Sequence, residues 1–347
     1  MDMTAPERIL VRAPNWVGDV VMTTPGLRAL RYGFPDAQIV VQIRPGLEGL
    51  LSSSPHIDEV IHVESYHRGF AAMVKEGARL RSLGSFDLGI CIPESFSSAF
   101  LQRAGGVKKV VGYGGGLRAP LVHEAIAVPE AWGARRMVAR ERFVLGLMEA
   151  VGCKQLGTQL ELATSPTEEI RVDEVLQEQG IDVVVPLVVM APGASFGSSK
   201  CWPPEFFAEV GDALHALGAR VVLLGSEVEA SLTAKVAGAM QTKPVDLGGL
   251  LALGDAKALI KRASLLICND AGTRHIAVAF DVPSIVFFGP TSLEKTNLNL
   301  ESVEALETDD ACRPCYKRTC PIDHRCMTGI PPSRVVELAR ATLDRSS

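Results

Sequence analysis

Short runs of apolar residues alternate with amphipathic stretches of helical period along almost the whole chain. Such short runs are typical of strands buried on both faces, which carry apolar residues at consecutive positions. A strand, a helix and a further strand, repeated many times, predict parallel strands joined by crossover helices. The predicted strands cover residues 9–11, 39–43, 60–63, 88–92, 110–111, 187–190, 221–224, 265–268 and 285–288, and the predicted helices include a segment after residue 18 and residues 47–51, 204–217, 227–240, 272–280 and 333–343.

The alternation weakens between residues 162 and 186, where a charged helical segment opens. Strands and helices resume beyond it, so the pattern predicts two similar doubly wound α/β units with a cleft between them. We place these units at residues 1–165 and 166–330. Residues 331–347 contain a final helix whose apolar face has to dock on one of the two units.

The composition is that of a globular protein of ordinary charge. The 347 residues are 47% hydrophobic, which argues against disorder and suffices for a large core. Lys plus Arg number 35 and Asp plus Glu 40, a net charge of −5, whereas general nucleic-acid binders carry a basic excess. No apolar stretch approaches the length of a membrane span, about 20 residues, and the first residues lack the apolar core of a signal peptide. We therefore expect a cytoplasmic protein.

The loops after the predicted strands hold the candidate chemistry, because ligands of open α/β sheets bind beyond the carboxyl ends of the strands. The first such loop reads APNWVGDVVMTTP and contains Asn15, Gly18 and Asp19. Gly18 permits a close approach of the backbone to a ligand. Asp19 is either the N-cap of the following helix or a general base that faces the cleft, and the two roles are compatible.

A second loop, APGASFGSSKCWPPEFF, follows the first strand of the second half. Its glycines interrupt regular structure, and its small hydroxyls, Ser195 among them, precede Lys200. Such a loop can present N–H groups, hydroxyls and one ammonium to a phosphate. The alternative is a flexible loop with a solvated lysine. The spacing is not that of a Walker loop, since no Lys-Ser or Lys-Thr pair precedes the helix.

Two further loops of the second half carry polar side chains. Glu227 opens a helix after a buried strand, where it either accepts the hydroxyls of a ribose or simply places negative charge at a helix N-terminus. In the sequence CNDAGTRHIAVAF, the residues Asp270, Gly272 and Thr273 turn the chain into a helix whose first N–H groups form an anion site. His275, on the first turn of that helix, either reaches a phosphate or hydroxyl or is structural.

Metal ligation is judged from two patterns. No D-x-D pair occurs, so Lys200 and helix N-termini would have to neutralise a diphosphate without a metal. The spacing C-x2-C-x4-C-x5-C joins four cysteines near His324, which either bind zinc or form a reduced, packed loop. These cysteines are Cys312, Cys315, Cys320 and Cys326.

Taken together, four segments give the chain a family resemblance. They read RAPNWVGDVVMTTPGLRALR, APGASFGSSKCWPPEFFAEV, NDAGTRHIAVAFDVPSIVFFGPT and CRPCYKRTCPIDHRCM, and they span essentially the whole chain in this order. The chain resembles the ADP-heptose:lipopolysaccharide heptosyltransferases of glycosyltransferase family nine, above all the branch that adds the second heptose.

The resemblance implies a GT-B fold, in which two Rossmann-like doubly wound domains face a central cleft. The acceptor is then expected mainly on the N-terminal domain and the sugar nucleotide on the C-terminal one, with the last helix packed back on the N-terminal domain. The implied reaction is an inverting, metal-independent transfer of heptose from ADP-heptose to the lipopolysaccharide inner core, with no cofactor. By motif, Asp19 is the expected base, Lys200 the diphosphate-binding lysine and Glu227 the ribose-binding acid. Asp270, Gly272 and Thr273 match the diphosphate turn, whereas Ser195 stands where the family often has threonine.

Two rival interpretations stay open. One is a sugar-nucleotide epimerase or hydrolase of GT-B fold, and the other is a non-catalytic nucleotide-binding protein. A Rossmann dehydrogenase is disfavoured, because no G-x-G-x-x-G follows a predicted strand.

The acceptor implied by the resemblance is an anionic, lipid-linked glycan, so we expect transient contact with the inner face of the cytoplasmic membrane. Basic residues are frequent between positions 103 and 142 and either cluster at the cleft or scatter over solvated faces. We expect Arg135, Arg136 and Arg140 to border the acceptor site. The full set is Arg103, Lys108, Lys109, Arg118, Arg135, Arg136, Arg140 and Arg142.

Overall fold

The computed structural model describes residues 5–64, 69–133, 138–181 and 185–346. Every strand in these ranges belongs to one of two six-stranded sheets, and all neighbouring strands pair in parallel. The strands are β1 (Arg8–Arg12), β2 (Gln38–Ile43), β3 (Glu59–His62), β4 (Leu88–Cys91), β5 (Lys109–Tyr113), β6 (Glu124–Ile126), β7 (Leu187–Ala191), β8 (Arg220–Leu223), β9 (Val245–Asp246), β10 (Leu265–Asn269), β11 (Ser284–Phe288) and β12 (Val303–Glu307).

The helices alternate with the strands, as the hydrophobic pattern predicts. They are α1 (Val17–Val21), α2 (Thr24–Gly33), α3 (Phe70–Ser82), α4 (Phe96–Ala104), α5 (Arg140–Ala150), α6 (Pro166–Glu178), α7 (Pro204–Ala216), α8 (Ala230–Ala239), α9 (Leu253–Lys261), α10 (Gly272–Ala279), α11 (Arg325–Thr328) and α12 (Pro332–Ser346). Short 3-10 helices cover Glu48–Leu50, Gly116–Leu121, Glu130–Trp132, Ser198–Lys200, Glu227–Glu229 and Leu293–Lys295. Two predicted helices are wrong in extent. The stretch at 47–51 is only one 3-10 turn, and the stretch at 227–240 begins as a separate 3-10 turn before α8.

Both sheets have the strand order of a Rossmann fold. The first runs β3-β2-β1-β4-β5-β6, and the second runs β9-β8-β7-β10-β11-β12. Within each sheet the order reverses beside the first strand, between β1 and β4 and between β7 and β10. Crossovers leave these two strands in opposite directions, so a crevice opens at their carboxyl ends, where ligands bind. The predicted class, two doubly wound Rossmann-like units, is confirmed.

The central strands explain why the sequence pattern is so clear. Leu10, Ile90, Val189 and Ile267 have no exposed surface, because helices cover both faces of each sheet. The outermost strands β6, β9 and β12 escaped prediction. They are short or carry charged residues, as in VEALE of β12, and edge strands bury fewer side chains.

The chain divides into two compact units between Ala163 and Thr164, with residues 294–298 grouped with the first. The helix that opens the second unit, α6, starts with a capping box in which Ser165 and Glu168 satisfy each other's backbone N–H groups. No helix within the described ranges combines the length and the apolar character needed to cross a bilayer.

The C-terminal helix corrects one expectation. We expected α12 to pack back on the N-terminal domain, but it packs against α7, β10 and β11 of the second unit. Its residues Val335, Ala339 and Leu343 join the same buried cluster as Phe207 and Leu214 of α7. An apolar helix face indicates that the helix docks, but its pattern does not specify which domain receives it.

Candidate functional site

In the first unit, Arg12 fixes the loop between β1 and α1 through hydrogen bonds of its side chain. Its guanidinium is buried at the end of β1 and donates to Asn15 Oδ1 at 2.7 Å and to the carbonyl oxygen of Gln42 at 3.3 Å. The side-chain oxygen of Asn15, predicted to lie on the acceptor side, thus shapes the loop. Gly18 lies inside the first turn of α1 with helical backbone.

Asp19 lies on the first turn of α1, at the switch point of the first sheet. The N-cap of α1 is Trp16, with no side-chain capping bond, so the interpretation of Asp19 as N-cap is wrong. The Asp19 carboxylate is partly exposed, and its Oδ1 lies 3.9 Å from Nε of Arg140. The helix N-terminus and the arginine both favour the ionised carboxylate.

Arg140 is the first residue of α5, and aromatic rings hold it beside Asp19. Its guanidinium carbon lies 4.2 Å from the centroid of the Phe143 ring, and the Tyr113 ring lies 4.4 Å from that of Phe143. Burial lowers the pKa of Arg140, and Asp19 acts in the opposite direction. Because an arginine pKa starts far above neutrality, the side chain stays charged. Arg135 and Arg136, the other two predicted acceptor-side residues, lie outside the described residues.

Arg118 is a further buried cation of the first unit, and the sequence analysis names it only as one of a set of basic residues. Arg118 is 4% exposed and donates one bond, at 3.0 Å, to the carbonyl oxygen of Pro93 after β4. Its Nε and Nη2 have no hydrogen-bond partner among the described residues. Gly112 leaves room for it, since a Cβ there would lie 2.7 Å from Nη2. A desolvated guanidinium with free donors is a site for an anion. Arg118 could not be recognised as an anion-binding candidate from the sequence, because a single sequence does not show that an arginine is buried.

In the second unit, the Asp270 carboxylate binds Lys200, which the sequence analysis predicted, and Arg274 and Thr291, which it did not. Lys200 Nζ lies 2.6 Å from Asp270 Oδ2 and 2.7 Å from the Asp270 carbonyl oxygen. Arg274 Nε lies 3.1 Å from Oδ1, and the Thr291 hydroxyl donates to Oδ2 at 2.7 Å. Burial acts to raise the pKa of Asp270, but Lys200 and Arg274 outweigh it and hold the value at about 2. The carboxylate therefore stays ionised and fixes two cations beside the turn into α10.

The start of α10 offers backbone donors next to these cations. Ala271 is the N-cap, and Gly272 and Thr273 are the first two helical residues, whose N–H groups have no carbonyl partner within the helix. His275 is buried one turn on, and burial, reinforced by Arg274, holds its pKa well below the usual value. At neutral pH the His275 ring is therefore neutral.

Asn269, which the sequence analysis did not assign, anchors the loop that carries Lys200. Its amide nitrogen donates to the carbonyl oxygen of Pro192 at 2.7 Å, and its amide oxygen accepts from the backbone N–H of Trp202 at 2.9 Å. Trp202 is fully buried, with its ring stacked on Phe287 at 4.3 Å. Both ends of the loop are thereby tied to β10, whereas Ser195 lies exposed at its turn.

The cysteine-rich segment braces the other side of the same loop. The Ser199 hydroxyl donates to the carbonyl oxygen of Lys317 at 2.5 Å, its N–H to that of Arg318 at 3.1 Å, and its carbonyl oxygen contacts His324 Nε2 at 2.7 Å. The four cysteines of the segment form no disulfide, and within the described ranges no group of three or more His, Cys, Asp or Glu side chains is arranged to hold a metal. Burial, with the other three thiols, raises the pKa of Cys326 to about 11.

Glu227 lies exposed on the 3-10 turn after β8. The neighbouring carboxylate, Glu229, closes a capping box with Ser226, so the capping role belongs to Glu229. No ion pair among the described residues engages Glu227. Its side chain is open to a ligand at the carboxyl edge of the second sheet.

Two Rossmann-like units, each a doubly wound parallel sheet, have the architecture of the GT-B class of glycosyltransferases. Residues 75–325 match the model of glycosyltransferase family 9 (heptosyltransferase). The chain belongs to this family.

Two curated relatives match nearly the full length of the chain. It is 29% identical to lipopolysaccharide heptosyltransferase 2 of Salmonella typhimurium, over 95% of this chain and 97% of that protein. It is 26% identical to the Escherichia coli protein of the same name, over 97% and 98%.

Solved structures give the same fold. A family 9 glycosyl transferase from Veillonella parvula superposes with a TM-score of 0.86 at 22% identity, covering 99% of both chains. The ADP-heptose lps heptosyltransferase II of E. coli superposes with a TM-score of 0.80 at 25% identity, covering 98% of this chain and 99% of that one. The iron-containing dodecameric glycosyltransferase TibC of enterotoxigenic E. coli shares the fold at a TM-score of 0.55 and 15% identity, over 100% of this chain and 78% of that one.

Proposed function

We propose that the protein transfers a heptose from ADP-heptose to the inner core of lipopolysaccharide, with inversion at the anomeric carbon, as the second heptose addition. The observation that carries the proposal is the position of Asp19 and Lys200. Each lies at the switch point of its own sheet, where doubly wound folds bind ligands. The names of the relatives, heptosyltransferase 2 in both, support the choice of donor and acceptor.

The donor is assigned to the second unit. Its diphosphate binds the N–H groups of Gly272 and Thr273, and Lys200 turns from Asp270 towards the phosphate oxygens. Asp270 holds Arg274 beside the same turn. Glu227 accepts the ribose hydroxyls, and Ser195 and His275 supply further hydrogen bonds.

The acceptor is assigned to the first unit. Asp19 takes a proton from an acceptor hydroxyl while that oxygen bonds to the anomeric carbon of the heptose, and the bond to the diphosphate oxygen breaks on the opposite face. The ADP oxygen that leaves gains negative charge, which Lys200 and the α10 N–H groups stabilise. Arg118 and Arg140 provide positive charge for anionic groups of the acceptor.

The transfer is proposed to be independent of a metal. The proposal is supported by the charges at the turn that receives the diphosphate. The ammonium of Lys200 and the guanidinium of Arg274 lie there beside Asp270, and they supply the positive charge that a metal ion would otherwise supply. The acceptor is lipid-linked, so the enzyme is proposed to work in the cytoplasm and to touch the inner face of the membrane transiently.

Release of ADP, measured with donor alone and with donor plus acceptor, tests this function. A transferase releases ADP rapidly only when both are present. Consumption of ADP-heptose without acceptor would instead indicate the epimerase or hydrolase, and tight binding without any turnover would indicate a nucleotide-binding protein.

A further inference from the structure

Several large apolar side chains near the carboxyl ends of the strands of the first sheet are exposed to solvent. Phe70 at the start of α3 is 63% exposed, Phe96 at the start of α4 is 42% exposed, and Leu117 on the 3-10 helix after β5 is 85% exposed. The Phe100 ring links two of them, with its centroid 5.3 Å from that of Phe70 and 5.9 Å from that of Phe96. Contiguous exposed apolar surface on a soluble domain marks an interaction site.

These residues are neighbours in the fold. Helices α3 and α4 pack along each other, and α4 packs on the 3-10 helix that carries Leu117. Val74, one turn after Phe70, is exposed on the same side of α3. We call Phe70, Val74, Phe96, Phe100 and Leu117 the aromatic face.

The aromatic face lies on the edge of the sheet that holds Asp19. In a parallel sheet with crossover helices, each helix that follows a strand starts near the carboxyl end of that strand. Phe70 follows β3 and Phe96 follows β4, as Asp19 follows β1. Arg118 is the residue next to Leu117. The face is therefore on the side of the unit to which the proposed acceptor has to bind.

We propose that the aromatic face binds the lipid part of the acceptor within its bilayer, so that the enzyme reaches its sugar from the membrane surface. This inference rests on the proposed function. The acceptor is amphiphilic: its reacting hydroxyl must meet Asp19, while its acyl chains stay in the membrane. Phenylalanine and leucine side chains insert at the boundary between headgroups and acyl chains.

Apolar contact, not charge, carries this binding. The exposed carboxylates of Glu64 and Glu94 lie on the same edge as Lys75 and Arg44, so the edge has no uniform sign. Attraction between a basic patch and anionic lipid is screened by salt, whereas burial of phenylalanine is not. Binding to vesicles should therefore persist at high salt, which separates this proposal from electrostatic steering.

The test compares the double variant Phe70→Ser/Phe96→Ser with the matched control Tyr32→Ser/Leu83→Ser. Tyr32 near the end of α2 and Leu83 just after α3 are also exposed, but they lie at the opposite edge of the same sheet. Each protein is sedimented with phosphatidylethanolamine–phosphatidylglycerol vesicles at low and high salt. Transfer is then measured with the acylated acceptor in those vesicles and with the chemically deacylated acceptor in solution.

The aromatic-face variant should lose vesicle binding at both salt concentrations. Its KM for the acylated acceptor should rise about tenfold or more, because two aromatic rings that the lipid would bury are lost. Its kinetics with the deacylated acceptor should stay those of the wild type. The control should behave as the wild type throughout. Wild-type behaviour of the aromatic-face variant, or an equal loss with the deacylated acceptor, would overturn the proposal. If the wild type transfers heptose to neither acceptor, the proposed function fails. The vesicle sedimentation would still show whether the aromatic face binds lipid.

Discussion

Asp19 and Arg140 form the pair on which the proposed base catalysis depends. The distance of 3.9 Å between Asp19 Oδ1 and Arg140 Nε is that of an ion pair without a direct hydrogen bond from this nitrogen. The arginine therefore favours the ionised carboxylate electrostatically and leaves Asp19 able to accept a proton. Phe143, stacked under the guanidinium, limits how far the charge can move away.

Replacing Arg140 by methionine removes this charge and keeps most of the apolar volume. Without the neighbouring cation, the ionised form of Asp19 is less stable and its pKa rises. A base works only when ionised, so we expect the acid limb of the kcat/KM profile to move to higher pH. Arg140→Lys, which keeps the charge, should move it much less. An acid limb at the same pH in the wild type and both variants would show that Arg140 does not act on Asp19.

His275 supplies a pH dependence of stability. Burial holds its pKa in the folded protein well below 6.5, so the unfolded chain binds a proton that the folded one does not. The free energy of unfolding should thus fall as the pH drops below about 6.5. His275→Gln, which does not titrate, should show a flatter dependence between pH 7 and 5 in urea melts, with His215→Gln at the end of α7 as control. Identical pH slopes in the wild type and His275→Gln would contradict this.

At the scale of elements, the loop before α7 is held on two sides. Asn269 ties it to β10, and the cysteine-rich segment closes over Ser199 and Gly197. Lys200 gains its position from this bracing. The cysteine-rich segment therefore supports the loop through the carbonyl oxygens of Lys317 and Arg318 and through His324.

At Gly197 the loop and the cysteine-rich segment approach each other closely. A Cβ at this position would overlap the carbonyl oxygen of Arg318. Gly197→Ala should therefore displace the loop, raise the KM for ADP-heptose several-fold and lower the Tm. Gly238→Ala in α8, where a Cβ meets nothing within 4 Å, should keep the wild-type KM and slightly raise the Tm. A normal KM in Gly197→Ala would indicate that the bracing does not position Lys200.

The elements that the sequence predicts well are those whose burial is continuous. The central strand β7 is apolar at every position, and β10 is apolar at every position except its last residue, Asn269. Three of the four edge strands, β6, β9 and β12, were not predicted, and the predicted destination of α12 was wrong, because both depend on contacts between distant segments. The same holds for Arg118 and Asn269, whose burial and partners arise only when several loops meet.

At the scale of the whole molecule, two sheets of the same strand order bring different chemistry to equivalent positions. Asp19 after the first strand of one sheet and Lys200 after the first strand of the other were predicted from the sequence, because switch-point loops follow a strand directly. Their roles in one reaction remain a proposal. Of the three basic residues predicted to border the acceptor site, only Arg140 lies in the described ranges, where it is beside Asp19.

The charge of the whole donor site decides whether the transfer needs a metal ion. We expect full heptose transfer in excess chelator, because Lys200, Arg274 and the α10 N–H groups neutralise the diphosphate. Lys200→Ala should lose much of that transfer and should not recover it on addition of magnesium. Loss of wild-type activity in chelator, with recovery on adding magnesium, manganese or iron, would show that the site uses a metal.

The most direct measurement is the structure of the acceptor after incubation with ADP-heptose, determined by mass spectrometry and by NMR of the new linkage. We predict an acceptor heavier by one heptose, with the anomeric configuration opposite to that of the donor. Asp19→Asn should form the same product about 10²- to 10⁴-fold more slowly, as expected for the loss of a general base, while binding ADP as the wild type does. An unmodified acceptor, retention of the donor configuration, or near-normal turnover in Asp19→Asn would contradict the account.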